Sequence, residues 1–199
     1  HQGVDYLAVA FADEGAALRE RGIMMPIVVL NADDGSFETM IDYGLEPEIY
    51  GFASLEAFCS ELRRRGERDY PVHIKIDSGM HRLGFMEGDI DALIGILQND
   101  SQLIKVGSIF SHLAASDEPR QDGFTRSQIA LFDRASRKII DSLPYVPLRH
   151  IANSAAVERL PESMFDMVRI GIGMYGIGEV SGNELLPVST LHSRIVQVK

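Results

Sequence analysis

Short apolar runs alternate with amphipathic stretches along almost the whole chain, and this alternation restricts the fold more than any single motif does. "DYLAVA", "PIVVLNA", "EPEIYGF", "PVHIKID", "IKVGSIFSHLAA", "LRHIANSA" and "DMVRIGIGMYG" read as seven strands, apolar enough to be buried on both faces. Between them, "FADEGAALRERGI", "DDGSFETMIDYG", "SLEAFCSELRRRGE", "GDIDALIGILQND" and "FTRSQIALFDRASRKIIDSL" carry helical spacing, and "AVERL" is a shorter helix. Ser54 is the expected N-cap of the third of these, with Glu56 close to capping-box spacing. Such repetition predicts a parallel α/β fold, either a doubly wound sheet or a (β/α)8 TIM-type barrel. Even spacing and the lack of an early glycine-rich phosphate turn favour the barrel. Seven strands leave it incomplete, with its first strand expected upstream of His1. The alternating "STLHSRIVQVK" has no helix after it and reads as the first strand of a C-terminal β-domain. The expected organisation is a partial barrel over residues 1–184, then a linker and the start of a truncated β-domain over 185–199.

Composition narrows the class. At 199 residues the chain can bury a full core. A formal net charge of −10 argues against a nucleic-acid surface, which needs a basic stripe. No apolar run approaches the ~20 residues of a membrane helix. The single cysteine, Cys59, excludes an internal disulfide, reads as a small core residue and fits the cytoplasm. The histidines lack ligand spacing, so no metal site is expected.

In barrels of this kind chemistry sits where strands end and loops begin. Those positions hold Lys75, Asp77 and Arg82; His112 and Asp117; Asn153 and Ser154; and Arg169, Gly171, Ile172 and Tyr175. A serine hydroxyl, a glycine that lets an N–H approach closely, and several arginines together suit a phosphorylated ligand. His73 and His150 lie inside strands and read as structural.

"HIKIDSGMHRLGF", "FSHLAASDE", "HIANSAAV" and "DMVRIGIGMYG", in that order and spacing, resemble the central barrel motifs of bacterial alanine racemases. The resemblance implies a fold-type III enzyme using pyridoxal 5'-phosphate, with an N-terminal barrel, a C-terminal β-domain and a homodimer. It implies alanine as substrate and D-alanine for peptidoglycan as the product used. It also places the cofactor-bonding lysine before His1 and a catalytic tyrosine after Lys199, so that this chain alone is expected to be inactive. By resemblance, Arg169 bonds the cofactor's ring nitrogen and His112 orients Arg169. Ser154, Gly171 and Ile172 hold the phosphate, with Asn153 beside them. Arg82 meets the phenolic oxygen and the substrate carboxylate, and Asp117 lies at the entrance. The family's counterpart of Lys75 is often carbamylated by CO2, which turns a cation into an anion that pairs with Arg82. An ordinary ammonium paired with Asp77 or another carboxylate is the other reading of Lys75.

Two further function classes stay open on the residues. One is a Schiff-base aldolase-type barrel in which Lys75 itself reacts with substrate. The other is a non-enzymatic barrel that binds pyridoxal phosphate. Some relatives carry this domain fused to a ligase of cell-wall peptide synthesis. The sequence does not discriminate alanine from serine as substrate.

Overall fold

A computed structural model describes residues 3–178, 185–190, 192–194 and 197. Six strands form one parallel sheet in chain order: β1 (Leu7–Val9), β2 (Ile27–Val29), β3 (Glu46–Ile49), β4 (Tyr70–Lys75), β5 (Ile104–Phe110) and β6 (Leu148–His150). Helices α1 (Ala12–Glu20), α2 (Phe37–Asp42), α3 (Phe52–Arg65), α4 (Ile90–Asn99) and α5 (Asp122–Ile140) make the crossovers, and α6 (Ser154–Arg159) follows β6. This is the incomplete (β/α)8-type architecture that the alternation predicts. Among the described residues no helix is long and apolar enough to cross a membrane.

Period-two alternation in the strands divides the polar residues from the apolar ones. Register pairs Glu48 with His73, His73 with Ser108, Lys75 with Phe110, and Phe110 with His150, so these side chains share one face of the sheet. Pro47, Ile49, Val72, Ile74 and Ile109 alternate with them. Ile49, Val72, Ile74 and Ile109 belong to the apolar core, together with Leu55, Phe58 and Leu62 of α3, Leu93 and Leu97 of α4, and Phe132 and Ile139 of α5. The concave face is thus polar and the helix-covered face oily. Cys59 lies in that core at 1% exposure, where burial pushes its thiol up to about 12, as befits an inert packing residue.

Two local expectations differ from the structure. The third helix begins at Phe52 with Gly51 as its N-cap, and the Ser54 hydroxyl, already inside the first turn, donates to the Gly51 carbonyl at 3.0 Å. The expected seventh strand, "DMVRIGIGMYG", forms no ladder. Its backbone-to-backbone bonds to the β6 region are at separated points: Asp166 and Met167 N–H both to the Arg149 carbonyl, and Arg169 N–H to the Ala152 carbonyl. It then turns into a 3-10 helix at Ile172–Tyr175 that ends on Gly176 in the left-handed region. The strand expected over 189–199 lies in part outside the described residues, and the described ones there are not in regular structure.

The loop after β4 is anchored tightly. Phe85 N–H donates to the Lys75 carbonyl and Asp77 N–H to the Phe85 carbonyl, both at 2.9 Å, forming an isolated parallel bridge between Ile76 and Phe85. Gly84 makes this return possible: its φ is +130°, and an added Cβ would lie 2.5 Å from the Asp77 backbone nitrogen. Gly84→Ala is expected to destabilise the fold by about 3 kcal/mol, combining strain and overlap, as read by urea unfolding.

Candidate functional site

At the C-terminal rim of the sheet a cavity of about 850 Å³ opens. Five of the six strands, all but β3, contribute to its wall or to the loop beyond it: Ala8 within β1 and Ala10 after it, Leu30 and Asn31 after β2, Lys75 and Arg82 with β4, Phe110 and His112 with β5, Asn153 and Ser154 after β6. Asp117, Arg169, Gly171, Ile172 and Tyr175 complete it, so the structure gathers all the singled-out residues except Asp77.

Asp77 has a different task. Its carboxylate accepts the N–H groups of Gly79 at 2.9 Å and His81 at 3.0 Å, organising the loop that carries Arg82. Lys75 pairs instead with Glu48, whose Oε1 lies 2.8 Å from Nζ. Both residues are buried, at 6% and 0% exposure, so this is a desolvated ion pair. Burial raises the Glu48 carboxyl above the ordinary carboxylate range, while Lys75, Arg169 and Arg82 pull it back down. Lys75 Nζ also stands 5.5 Å from the Phe110 ring centroid. Arg82 is exposed on its loop and makes no ion pair among the described residues.

Arg169 is held from several sides. Its Nη1 donates to His150 Nδ1 at 2.5 Å, its Nη2 donates to the Ser111 carbonyl at 2.6 Å, and its Cζ lies 5.3 Å from the Phe110 centroid. His112 Nδ1 is 3.3 Å from Nη2, a looser contact than that of His150, so His150 is the main orienting ring. Burial lowers the guanidinium to about 10, still protonated at neutral pH.

The position of His150 determines a directed chain. An arginine can only donate, so His150 Nδ1 accepts and its Nε2–H donates to Ser108 Oγ at 2.9 Å. The Ser108 hydroxyl then donates to His73 Nδ1 at 2.7 Å, and His73 Nε2–H donates to Glu46 at 2.7 Å. Burial with Arg169 nearby holds His150 well below the usual imidazole range, in keeping with its accepting role. His150 also stacks on Phe110, 4.9 Å between centroids and 2° from parallel. His73 and His150, read from sequence as structural, therefore support the site through Arg169. Their signal was periodic placement: His73 and Lys75 share a strand face, as do Ser108 and Phe110.

At the opposite wall Ser154 Oγ accepts the N–H of Gly171 at 3.1 Å and of Gly173 at 3.3 Å, leaving its own proton to donate outward. Asn153 caps α6 by accepting the Ala156 N–H at 3.0 Å and takes a hydrogen bond from Ser116 at 2.8 Å. Its side chain is occupied with shaping the loop.

Residues 1–179 match the family model described as alanine racemase, N-terminal domain. The chain belongs to this family. The alanine racemase of Thermodesulfovibrio yellowstonii is 35% identical over 197 residues, 99% of this chain and 51% of that protein. The alanine racemase of Neisseria gonorrhoeae is 35% identical over 195 residues, 96% and 52% respectively. Among solved structures, the alanine racemase of Clostridium difficile 630 in complex with cycloserine superposes with a TM-score of 0.84 at 32% identity, covering 94% of this chain and 52% of that one. The alanine racemase of Bartonella henselae with covalently bound pyridoxal phosphate shares the fold at a TM-score of 0.72 and 24% identity, over 87% and 49%. The chain thus spans about half the length of the curated alanine racemases it matches.

The cavity's charge fixes a pH response. Burial, then Arg169, Arg82 and Lys75, lower the His112 imidazole to about 4. Between an unfolded value near ~6.5 and that folded value, the unfolded chain binds the extra proton. Stability from His112 is therefore complete above pH ~6.5 and is lost as pH falls towards about 4. Ring-proton NMR is expected to show His112 neutral at pH 6, and urea midpoints are expected to fall across this window less steeply in His112→Asn.

Proposed function

We propose that this chain is the cofactor-binding barrel portion of an enzyme that interconverts L-alanine and D-alanine with pyridoxal 5'-phosphate. Family membership supports the reaction, and the observation that carries the cofactor assignment is Arg169, clamped at the cavity wall with its charge kept. The donor set fits such a group. Three cations, Lys75, Arg82 and Arg169, line a cavity whose lining includes one carboxylate, Asp117, while Glu48 pairs with Lys75; the balance suits a doubly charged phosphate. Gly171 adds room at the phosphate wall, since a Cβ there would meet nothing within 4 Å.

When bound, the cofactor supplies an electron sink that acidifies the substrate Cα–H. The chain's own residues set how strong that sink is. Arg169 would donate to the ring nitrogen and, unable to give up its proton at neutral pH, would leave that nitrogen unprotonated. A weaker sink favours rapid return of the proton to Cα, which is what racemisation needs. His150 and the Ser111 carbonyl hold the guanidinium in place, while His112, neutral, fills the space beside it. Ser154 with the Ile172 amide would take the phosphate, joined by the Gly171 N–H on exchanging its bond to Ser154 Oγ for one to the ligand; Arg82 would take the substrate carboxylate, and Asp117 would line the entrance.

The reading assigns both proton-transfer groups to parts of the enzyme outside these 199 residues, so the chain alone is inactive. It carries with it a cytoplasmic homodimer supplying D-alanine for peptidoglycan. An aldolase-type use of Lys75 is less well supported, because its amine is engaged in a hydrogen bond to the buried Glu48 carboxylate.

The test is alanine racemisation, followed by chiral chromatography, in the longer protein that contains this segment. Activity is expected with alanine, and its absence would overturn the reading. Arg169→Ala is expected to lower kcat by about 100-fold or more, as for removal of one preorganised donor. Ser154→Ala is expected to weaken cofactor binding about tenfold, measured by absorbance titration.

A further inference from the structure

Burying an amine in a strand interior calls for an anion, and the chain has one in place. Lys75 and Glu48 extend from neighbouring strands, β4 and β3, onto the polar face of the sheet. Nζ lies 2.8 Å from Oε1, and the pair is shielded on one side by the Phe110 ring. The second carboxylate oxygen, Oε2, is fully buried and has no hydrogen-bond partner among the described residues. A carboxylate in that condition is costly unless cations pay its desolvation, and three do: Lys75 directly, Arg169 and Arg82 through their fields.

We propose that Glu48 is a positioning residue, the resident counter-ion of the cavity, which holds Lys75 as an ammonium and excludes CO2 from its nitrogen. Carbamylation forms an N–C bond between the amine lone pair and CO2 and releases a proton to solvent. It therefore needs a neutral amine, and it needs space beside Nζ for a planar CO2⁻ group. Glu48 denies both. Its carboxylate pairs with the amine at 2.8 Å, and so occupies the position, one hydrogen bond from Nζ, that a carbamate carboxylate would need. Glu48 and a carbamate are thus alternative sources of the same negative charge. The family resemblance offers CO2 as one source of this anion; in the fold the Glu48 side chain supplies it.

The inference uses the cavity of the proposed racemase but reads only the covalent state of Lys75, so its failure would leave the assigned reaction untouched. The experiment is 13C NMR of the chain in 13C-bicarbonate buffer, with wild type, Glu48→Ala, and Glu48→Ala combined with Lys75→Arg. Wild type is expected to show no lysine carbamate resonance. Glu48→Ala, which removes the anion and opens space of about the right size, is expected to gain one that the double variant lacks. A carbamate on Lys75 in wild type would overturn the proposal, as would a folded Glu48→Ala chain that gains none. Should Glu48→Ala fail to fold, the isosteric Glu48→Gln carries the test through reductive methylation mapped by mass spectrometry. Lys75 is then expected to react at least tenfold faster than in wild type, and an equal rate would overturn the proposal.

Discussion

The arrangement at the rim depends on how the chain accommodates buried positive charge. Lys75 is almost wholly enclosed, and Arg169 is clamped a ring's width away across Phe110. Removing such groups from water costs several kcal/mol each unless partners replace the lost hydration. Lys75 is matched by the Glu48 carboxylate, and both cations lie against the one aromatic ring. Among the described residues Arg169 is matched by no carboxylate contact; its shortest bonds go to a carbonyl and to an imidazole that must stay neutral to accept. The outcome is a cavity with positive charge in excess, held ready for an anionic ligand before one arrives.

The neutral imidazole has consequences deeper in the sheet. Because His150 accepts from Arg169, its other nitrogen must donate, and every later bond in the series takes the same direction until Glu46. Donation by His150 to Ser108, by Ser108 to His73 and by His73 to Glu46 satisfies all of them at once. A polar interior can specify a unique structure only when it is satisfied in this way. The oily side of the same strands does the complementary work, since the isoleucines and valines that alternate with these residues carry the helices. Orientation of Arg169 therefore rests on the packing of α3, α4 and α5 as well as on its immediate neighbours.

Much of this was legible in the chain. The parallel α/β class, the first six strands and the rim location of Lys75, Arg82, His112, Ser154 and Arg169 follow from alternation and order. The seventh strand was not legible, because an apolar run with spaced glycines reads the same whether it finds a full ladder or, as here, three separate backbone hydrogen bonds beside β6. Serine favours the cap position, yet the N-cap lies three residues before Ser54, at Gly51. Glu48 passed unnoticed in "EPEIYGF", although a charged residue two positions from another in a buried strand marks a polar interior face.

What the sequence by itself determined was periodicity and chemical type: which residues share a face of a strand, where strands end, and which side chains could meet an anion there. Period-two and helical spacing are local, so the chain records them directly. Which cation meets which anion was decided only by the tertiary structure. Lys75 is two residues from Asp77 and 27 from Glu48, yet the parallel register brings Glu48 to 2.8 Å while the β4 loop turns Asp77 towards its own backbone. Partners of that kind are set by the stagger of strands distant in sequence, which no local pattern encodes.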